Sequence, residues 1–105
     1  MSLRYVPKIM STQVSENVKS LARDLRTGDP RNAKDPLGGF EGGMRALDKC
    51  RATLAGINGE YQFNCPLDQR FFRETGIDVE RFKSEVARGA SDEEMDAWVR
   101  ERALK

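Results

Sequence analysis

Apolar residues recur every three or four positions along most of the chain, which is the spacing of an amphipathic α-helix. The pattern predicts five short helices, at about 14–27, 44–55, 66–75, 79–88 and 91–103. Gly28 sits where a left-handed residue would end the first helix, and Ser91 with Glu94 has the capping-box pattern that begins the last. The expected fold class is mostly α, with about five short helices in one compact domain at 14–105, after an irregular arm at 1–13.

One long segment interrupts the helical pattern. Residues 28–43, called here the glycine-rich segment, read GDPRNAKDPLGGFEGG and contain two prolines and five of the nine glycines. A loop of this length is uncommon in a compact domain and often has a function. Two interpretations stay open: a surface connector that Leu37 and Phe40 attach to the core, which is the more usual role of a loop, and a ligand-binding loop. Alternating aromatic and polar residues at 60–64 predict a short strand, so we expect at most one very short strand pair.

Composition narrows the class of protein. The 18 basic and 17 acidic residues nearly cancel, which disfavours a nucleic-acid binder or a binder of anionic membranes. The chain has no run of about 18 apolar residues, so we expect no membrane-spanning helix. The N-terminus also lacks the continuous apolar stretch of a signal peptide. Cys50 and Cys65 are therefore expected to be reduced thiols in the cytoplasm.

The chain contains no histidine. This absence excludes Ser-His-Asp and Cys-His catalytic mechanisms, together with every metal site that uses a histidine of this chain. The two cysteines lie far apart in the sequence and the carboxylates are scattered, so no recognised set of metal ligands remains. We expect no metal and no cofactor.

Two charged residues fall inside predicted apolar faces. Arg51 lies within the arc of the second helix that contains Leu47, whereas Lys49 points elsewhere; Asp68 lies within the arc of the third helix that starts at Leu67. A buried lone charge is costly, so each should be paired or should line a cavity. We expect Arg51 and Asp68 to approach each other where the two helices meet. A buried ion pair that fixes the helix register is favoured over the polar floor of a cavity.

Cys65 immediately precedes Pro66, so it should occupy the N-cap of the third helix. The N–H groups and the dipole at a helix start stabilise an anion, which lowers the pKa of a thiol there. The alternative is a small buried residue, which is favoured because structural cysteines are usually inert. No catalytic residue is assigned, and the candidates are Cys65 and Asp68.

Several short motifs resemble a known family. LDK-x-RA at 47–52, GEY at 59–61 and CPLDQRF at 65–71 are similar to a bacterial family of uncharacterised proteins, domain-of-unknown-function family 5069. Shorter matching pieces extend this resemblance from Asp24-Leu25 to the C-terminus. The resemblance implies a bacterial, cytosolic, single-domain protein, but it implies no activity, substrate or catalytic residue.

Two functions of different classes remain open. The first is a small cytosolic binding or interaction module, a homodimer or a partner of another protein, and not an enzyme. The second is a site for a small anionic ligand, or an enzyme active site, at the junction of helices 44–55 and 66–75 under the glycine-rich segment. The ligand-binding residues of the second hypothesis are Arg51, Tyr61, Cys65, Asp68 and Arg70.

Overall fold

The computed structural model describes residues 14–103; the predicted arm at 1–13 and the last two residues lie outside this range. The helices are α1 (Glu16–Leu21), α2 (Gly43–Ala55), α3 (Pro66–Thr75), α4 (Val79–Ala87) and α5 (Asp92–Arg102). Two short strands, β1 (Pro36–Leu37) and β2 (Phe40–Glu41), pair antiparallel inside the glycine-rich segment. The predicted mostly α class is confirmed. Among residues 14–103, no helix combines the length and the apolar character needed to cross a membrane.

The boundaries of the last three helices follow local signals and agree closely with the prediction. α3 ends at Gly76, which adopts the left-handed conformation with φ of 73°. Asp78 caps α4 by accepting a hydrogen bond from the backbone N–H of Arg81 at 3.1 Å. Ser91 and Glu94 form the predicted capping box of α5, with hydrogen bonds of 3.1 and 2.9 Å. Each signal lies within a few residues of the helix end that it sets.

α1 is shorter than predicted. The carboxylate of Asp24 accepts hydrogen bonds from both the backbone N–H and the guanidinium of Arg26, a turn that competes with the helix. The N–H of Leu25 donates to the carbonyl of Ile57 at 3.0 Å, which is a contact between distant parts of the chain. Gly28 is not left-handed, so the prediction that it ends this helix is wrong. A tertiary contact therefore overrides the helical periodicity here.

The strand predicted at 60–64 is also wrong, because these residues form turns and irregular chain. The N–H of Tyr61 donates to the carbonyl of Asn58 at 3.0 Å, and Asn64 has a φ of 67°. The strand pair lies instead in the glycine-rich segment, where Leu37 pairs with Phe40. Leu37 is fully buried and Phe40 packs against the core, so both do attach this segment as predicted.

α2 is the central helix, since it contacts α1, α3, α4 and β1. Every residue from 46 to 52 is consequently buried. A cluster of aromatic rings fills the core beside α2, with ring centroids 5.1 to 6.3 Å apart: Phe63, Phe71, Phe72, Phe82 and Trp98. Leu67 was expected on the apolar face of α3 but is 57% exposed; it lies in the first turn, at the edge of the arc on which Phe71 and Phe72 are buried.

Candidate functional site

Three charged side chains of the central helix are buried. Asp48, Lys49 and Arg51 are 1%, 3% and 2% exposed. Because successive residues of a helix turn by about 100°, these side chains point in different directions and reach different elements. Each buried charge is paired with a residue outside α2. The result is two separate charged clusters around one helix.

The first cluster, called here the ion network, consists of Arg31, Asp48, Arg51 and Asp92. Arg31 donates from its backbone N–H and its guanidinium to Asp48, at 2.7 and 2.8 Å, and from Nη1 to Asp92 at 2.8 Å. Arg51 donates to Asp92 at 2.7 Å and to the carbonyl of Ala90 at 2.9 Å. The pKa of Asp92 is lowered to about 2, mainly by the hydrogen bonds from Arg31. Burial raises this pKa, and the hydrogen bond from Arg51 lowers it further. The ion network joins the glycine-rich segment to α2 and α5.

The expected pair between Arg51 and Asp68 is therefore wrong. Arg51 pairs with Asp92, and the Oδ2 of Asp68 lies 3.1 Å from the Nζ of Lys49. Helical periodicity places Arg51 on a buried face, and that burial is confirmed. Periodicity does not say which neighbouring element that face meets, and here it meets the start of α5.

The second cluster, called here the thiol cluster, consists of Lys49, Cys65 and Asp68. The Nζ of Lys49 donates to the Sγ of Cys65 at 2.9 Å and also pairs with Asp68. Asp68 in turn accepts from the backbone N–H of Asn64 at 2.9 Å. The side chains of Lys49 and Asp68 are 4% and 2% exposed, whereas Cys65 is only half-buried. Cys65 stands at the N-cap of α3, as predicted.

The two cysteines have different thiol chemistry. Burial is the largest single influence on Cys65 and raises the pKa of its thiol. The hydrogen bond from Lys49 and the N–H groups of Asp68 and Leu67 together outweigh burial, so the pKa lies below that of a free thiol. The carboxylate of Asp68 acts in the opposite direction. Cys50 is fully buried, and the loss of solvation raises its pKa to about 12.

A cleft of about 210 Å³ lies where the glycine-rich segment covers the junction of α2 and α3. This is the place at which the sequence predicted a ligand site. Its lining combines four residues of the segment with one from α2 and three from α3: Ala33, Lys34, Glu41, Gly42, Arg45, Leu67, Asp68 and Arg70. Two of the five predicted ligand-binding residues, Asp68 and Arg70, therefore line the cleft.

The other three predicted residues lie outside the cleft lining. Tyr61 packs against a residue of the lining, because its ring centroid is 5.7 Å from the Cζ of Arg45. The hydroxyl of Tyr61 donates to Asp29 at 2.5 Å, and this bond is the main cause that raises the pKa of the tyrosine. Cys65 is linked to the cleft through the thiol cluster, which shares Asp68 with the lining. Arg51 belongs to the ion network.

Arg45 is one of two cations of the cleft lining that were not predicted from the sequence. Its Nη1 donates to the carbonyl of Arg31 at 3.2 Å, while its Nε is buried without a hydrogen-bond partner among the described residues. Lys34, the other missed cation, forms no ion pair with any residue between 14 and 103, whereas Arg70 pairs with the exposed Glu74 at 3.1 Å. Their positions were the available signal, since Lys34 lies in the glycine-rich segment and Arg45 is the second residue after it.

The charges around the cleft do not cancel. Lys34, Arg45 and Arg70 are positive, while Glu41 and Asp68 are negative. Lys49 neutralises Asp68 from inside the protein and Glu74 pairs with Arg70, which leaves Lys34 and Arg45 against Glu41. The cleft therefore has an excess of positive charge. Within the described part of the chain, no group of three or more cysteine or carboxylate side chains is arranged to hold a metal ion.

A larger groove, of about 560 Å³, lies between α4, α5 and the start of α1, and three glutamates dominate its charge. Each glutamate has a partner inside the protein: Glu85 pairs with Arg88, Glu94 with the N–H of Ser91, and Glu101 with Arg102. The groove therefore offers no unpaired carboxylate to a ligand. The smaller cleft is the better candidate site.

Comparison with known proteins identifies a family. No curated protein matches the chain. Residues 27–104 match the family described as Domain of unknown function (DUF5069), and this range contains the ion network, the thiol cluster and the cleft. Asp24 and Leu25, which contributed to the resemblance noted above, lie before the match. Because the match covers well over half of the sequence, the chain belongs to the family described as Domain of unknown function (DUF5069).

Proposed function

We propose that this protein binds a small anionic ligand, with a carboxylate or phosphate group, in the cleft under the glycine-rich segment. The observation that supports this proposal best is the state of Arg45. Only one of its three guanidinium nitrogens donates to the described residues, and its Nε is buried without a partner. An unsatisfied buried donor costs about 1–3 kcal/mol. An anion that accepts a hydrogen bond from Nη2 would remove this cost if a small rotation of the Arg45 side chain also let Nε donate to it.

The surroundings of Arg45 favour the same ligand class. Lys34 and Arg70 supply two further cations at the cleft, and arginine recognises carboxylates and phosphates through paired hydrogen bonds. Tyr61 supports the guanidinium of Arg45 from the outside. A planar guanidinium held against an aromatic ring loses less freedom on binding than a free side chain does.

The size of the cleft limits the ligand. Its volume of about 210 Å³ is smaller than the roughly 300–1,000 Å³ of clefts that hold drug-sized molecules. Ala33 and Leu67 form an apolar part of the lining, and Leu67 is 57% exposed. A ligand with one anionic group and a short apolar portion would cover Leu67 and face the cations. We therefore propose binding, with no catalytic residue assigned.

Nuclear magnetic resonance of the arginine side chains tests this proposal directly. Inorganic phosphate and a series of short-chain monocarboxylates would be titrated into ¹⁵N-labelled protein. We expect the Nε–H signal of Arg45 and the amide signal of Lys34 to move and to saturate with at least one probe. R45Q should abolish saturation. R73Q removes the same charge from an exposed position of α3 outside the cleft lining and should keep it.

Equal and unsaturable shifts in the wild type, R45Q and R73Q would overturn the proposal, because they would show non-specific salt effects.

The interaction module, as a homodimer or with another protein, is the second candidate. Leu67 supports it as the one large hydrophobic side chain exposed among residues 14–103. A single exposed leucine is ordinary on a monomer, so we place the cleft first. Light scattering would favour the interaction module if the wild type has the mass of a dimer and the Leu67→Asp variant has the mass of a monomer.

We also propose a cytoplasmic location. Both cysteines are free thiols, which supports a reducing compartment. Fractionation of the source cells with an antibody to this chain tests the location.

A further inference from the structure

The thiol cluster carries an inference that goes beyond ligand binding. We infer that Cys65 is a site of reversible oxidation by small hydroperoxides, and that Lys49 is the residue that holds it as a thiolate. Oxidation of Cys65 does not require a ligand in the cleft.

Lys49 is placed as a counter-ion for a thiolate. Its side chain is 4% exposed, and its Nζ lies 2.9 Å from the Sγ of Cys65 and 3.1 Å from Asp68. A buried ammonium requires compensating negative charge, since removing it from water costs several kcal/mol. Asp68 supplies that charge, and the same ammonium donates a further hydrogen bond to the Sγ of Cys65. A charged donor strengthens its hydrogen bond when the acceptor is an anion, so Lys49 favours the thiolate over the thiol.

The position of Cys65 adds a second stabilising influence. It is the N-cap of α3, a helix of 10 residues, and the helix dipole favours a negative charge at this end, although the side chain of Cys65 accepts no capping hydrogen bond. The N–H groups of Asp68 and Leu67 both lower the pKa of the thiol. Two other charged groups of the cluster face the sulfur: Lys49 from α2 favours the thiolate, and the carboxylate of Asp68 from α3 opposes it. The net effect favours the thiolate.

A thiolate that is partly exposed reacts with hydroperoxides. The sulfur of Cys65 attacks the outer oxygen of the hydroperoxide, so the S–O bond forms as the O–O bond breaks. The sulfur loses two electrons and becomes a sulfenic acid. The hydroperoxide gains them and leaves as an alcohol, or as water from hydrogen peroxide, after it takes one proton from solvent. Reduction by a small thiol outside the protein restores Cys65.

The other cysteine does not complete this chemistry. Cys50 is fully buried, and its pKa of about 12 keeps it protonated at neutral pH. The chain has two cysteines in total. An internal disulfide is therefore not the expected end product. We expect a sulfenic acid at Cys65, or a mixed disulfide with an external thiol.

The pH dependence of alkylation tests the thiolate. Iodoacetamide would be added to the folded protein between pH 5 and pH 10, with labelling of each cysteine followed by mass spectrometry. We expect Cys65 to react along a titration curve whose midpoint lies below the roughly 8.5 of a free cysteine, while Cys50 stays unlabelled. K49M should move this midpoint to higher pH and slow labelling at pH 7 roughly tenfold. K49R should retain a low midpoint.

K83M is the matched control, because it removes a lysine from α4 outside the thiol cluster; it should leave the Cys65 curve unchanged. If K49M fails to fold, the wild-type midpoint and K49R still decide the question. Treatment with hydrogen peroxide followed by dimedone should then give an adduct at Cys65 and none at Cys50. A wild-type midpoint at or above that of free cysteine, or no adduct at Cys65, would overturn the inference.

Discussion

The backbone N–H and the guanidinium of Arg31 both donate to the carboxylate of Asp48, at 2.7 and 2.8 Å. The carboxylate is 1% exposed, so its removal leaves a donor of the glycine-rich segment facing the centre of the protein. We expect D48A to lower the free energy of unfolding by about 3 kcal/mol, near the lower end for breaking a buried ion pair because Asp92 still pairs with Arg31. Urea denaturation measures this loss. Glu101→Ala removes a mostly exposed carboxylate and should cost far less; equal losses would refute a special role for Asp48.

Asp92 should make the stability depend on pH under acidic conditions. Its folded-state pKa of about 2 lies below the roughly 3.9 of an unfolded aspartate, so the stabilisation is present above pH 4 and is lost as the pH falls toward 2. We expect Asp92 to contribute about 1–2 kcal/mol, after allowance for its partial exposure. The difference in unfolding free energy between wild type and D92N should shrink over this pH range. A difference that stays constant would contradict the assignment.

Gly38 should tolerate no side chain. A Cβ there would lie 2.5 Å from the Cγ1 of Val99, and the φ of 62° already favours glycine. We expect G38A to lower the unfolding free energy by about 2–3 kcal/mol, from strain and overpacking together. Gly56→Ala is the matched control, because Gly56 has a φ of 75° but open space around it, so only about 1 kcal/mol is expected. Similar losses at both positions would show that the contact with Val99 is unimportant.

Phe82 anchors the aromatic cluster of the core. It is fully buried and contacts four other aromatic rings, at centroid distances of 5.1 to 6.3 Å. We expect F82A to lower the unfolding free energy by about 3–5 kcal/mol, because a cavity replaces these contacts. Leu67→Ala should change stability by less than about 0.5 kcal/mol, since its side chain is mostly in solvent. Thermal unfolding of both variants tests the pair; a stable F82A would disprove the assigned core.

Local signals in the sequence predicted most of the fold. The end of α3 at Gly76 and the capping box of Ser91 depend on residues within one helical turn, so they were visible without a structure. The end of α1 could not be predicted in this way, because the hydrogen bond from Leu25 to Ile57 joins residues that are far apart in the chain. Periodicity identified the burial of Arg51 and Asp68 but not their partners.

Lys49 illustrates why part of the site escaped prediction. Apolar residues mark only one arc of α2, and a lysine outside that arc is normally solvated. α2 is instead covered on several sides, and Lys49 is buried where it contacts Cys65, the N-cap of α3, and Asp68 within α3. Coverage of this kind depends on how the other helices pack, which no pattern within residues 44–55 records. The cleft position was predictable because the glycine-rich segment joins α2 directly.

The bond from Arg31 to Asp92 spans 61 residues of sequence, and it has a consequence for the order of assembly. The glycine-rich segment is synthesised before α5, but the carboxylate of Asp92 that completes its pairing belongs to α5. Closing so long a loop costs entropy before any contact compensates it. The segment should therefore reach its final position only after α5 has been synthesised. A chain that still lacks α5 would expose the segment to proteases, and the folded protein would protect it.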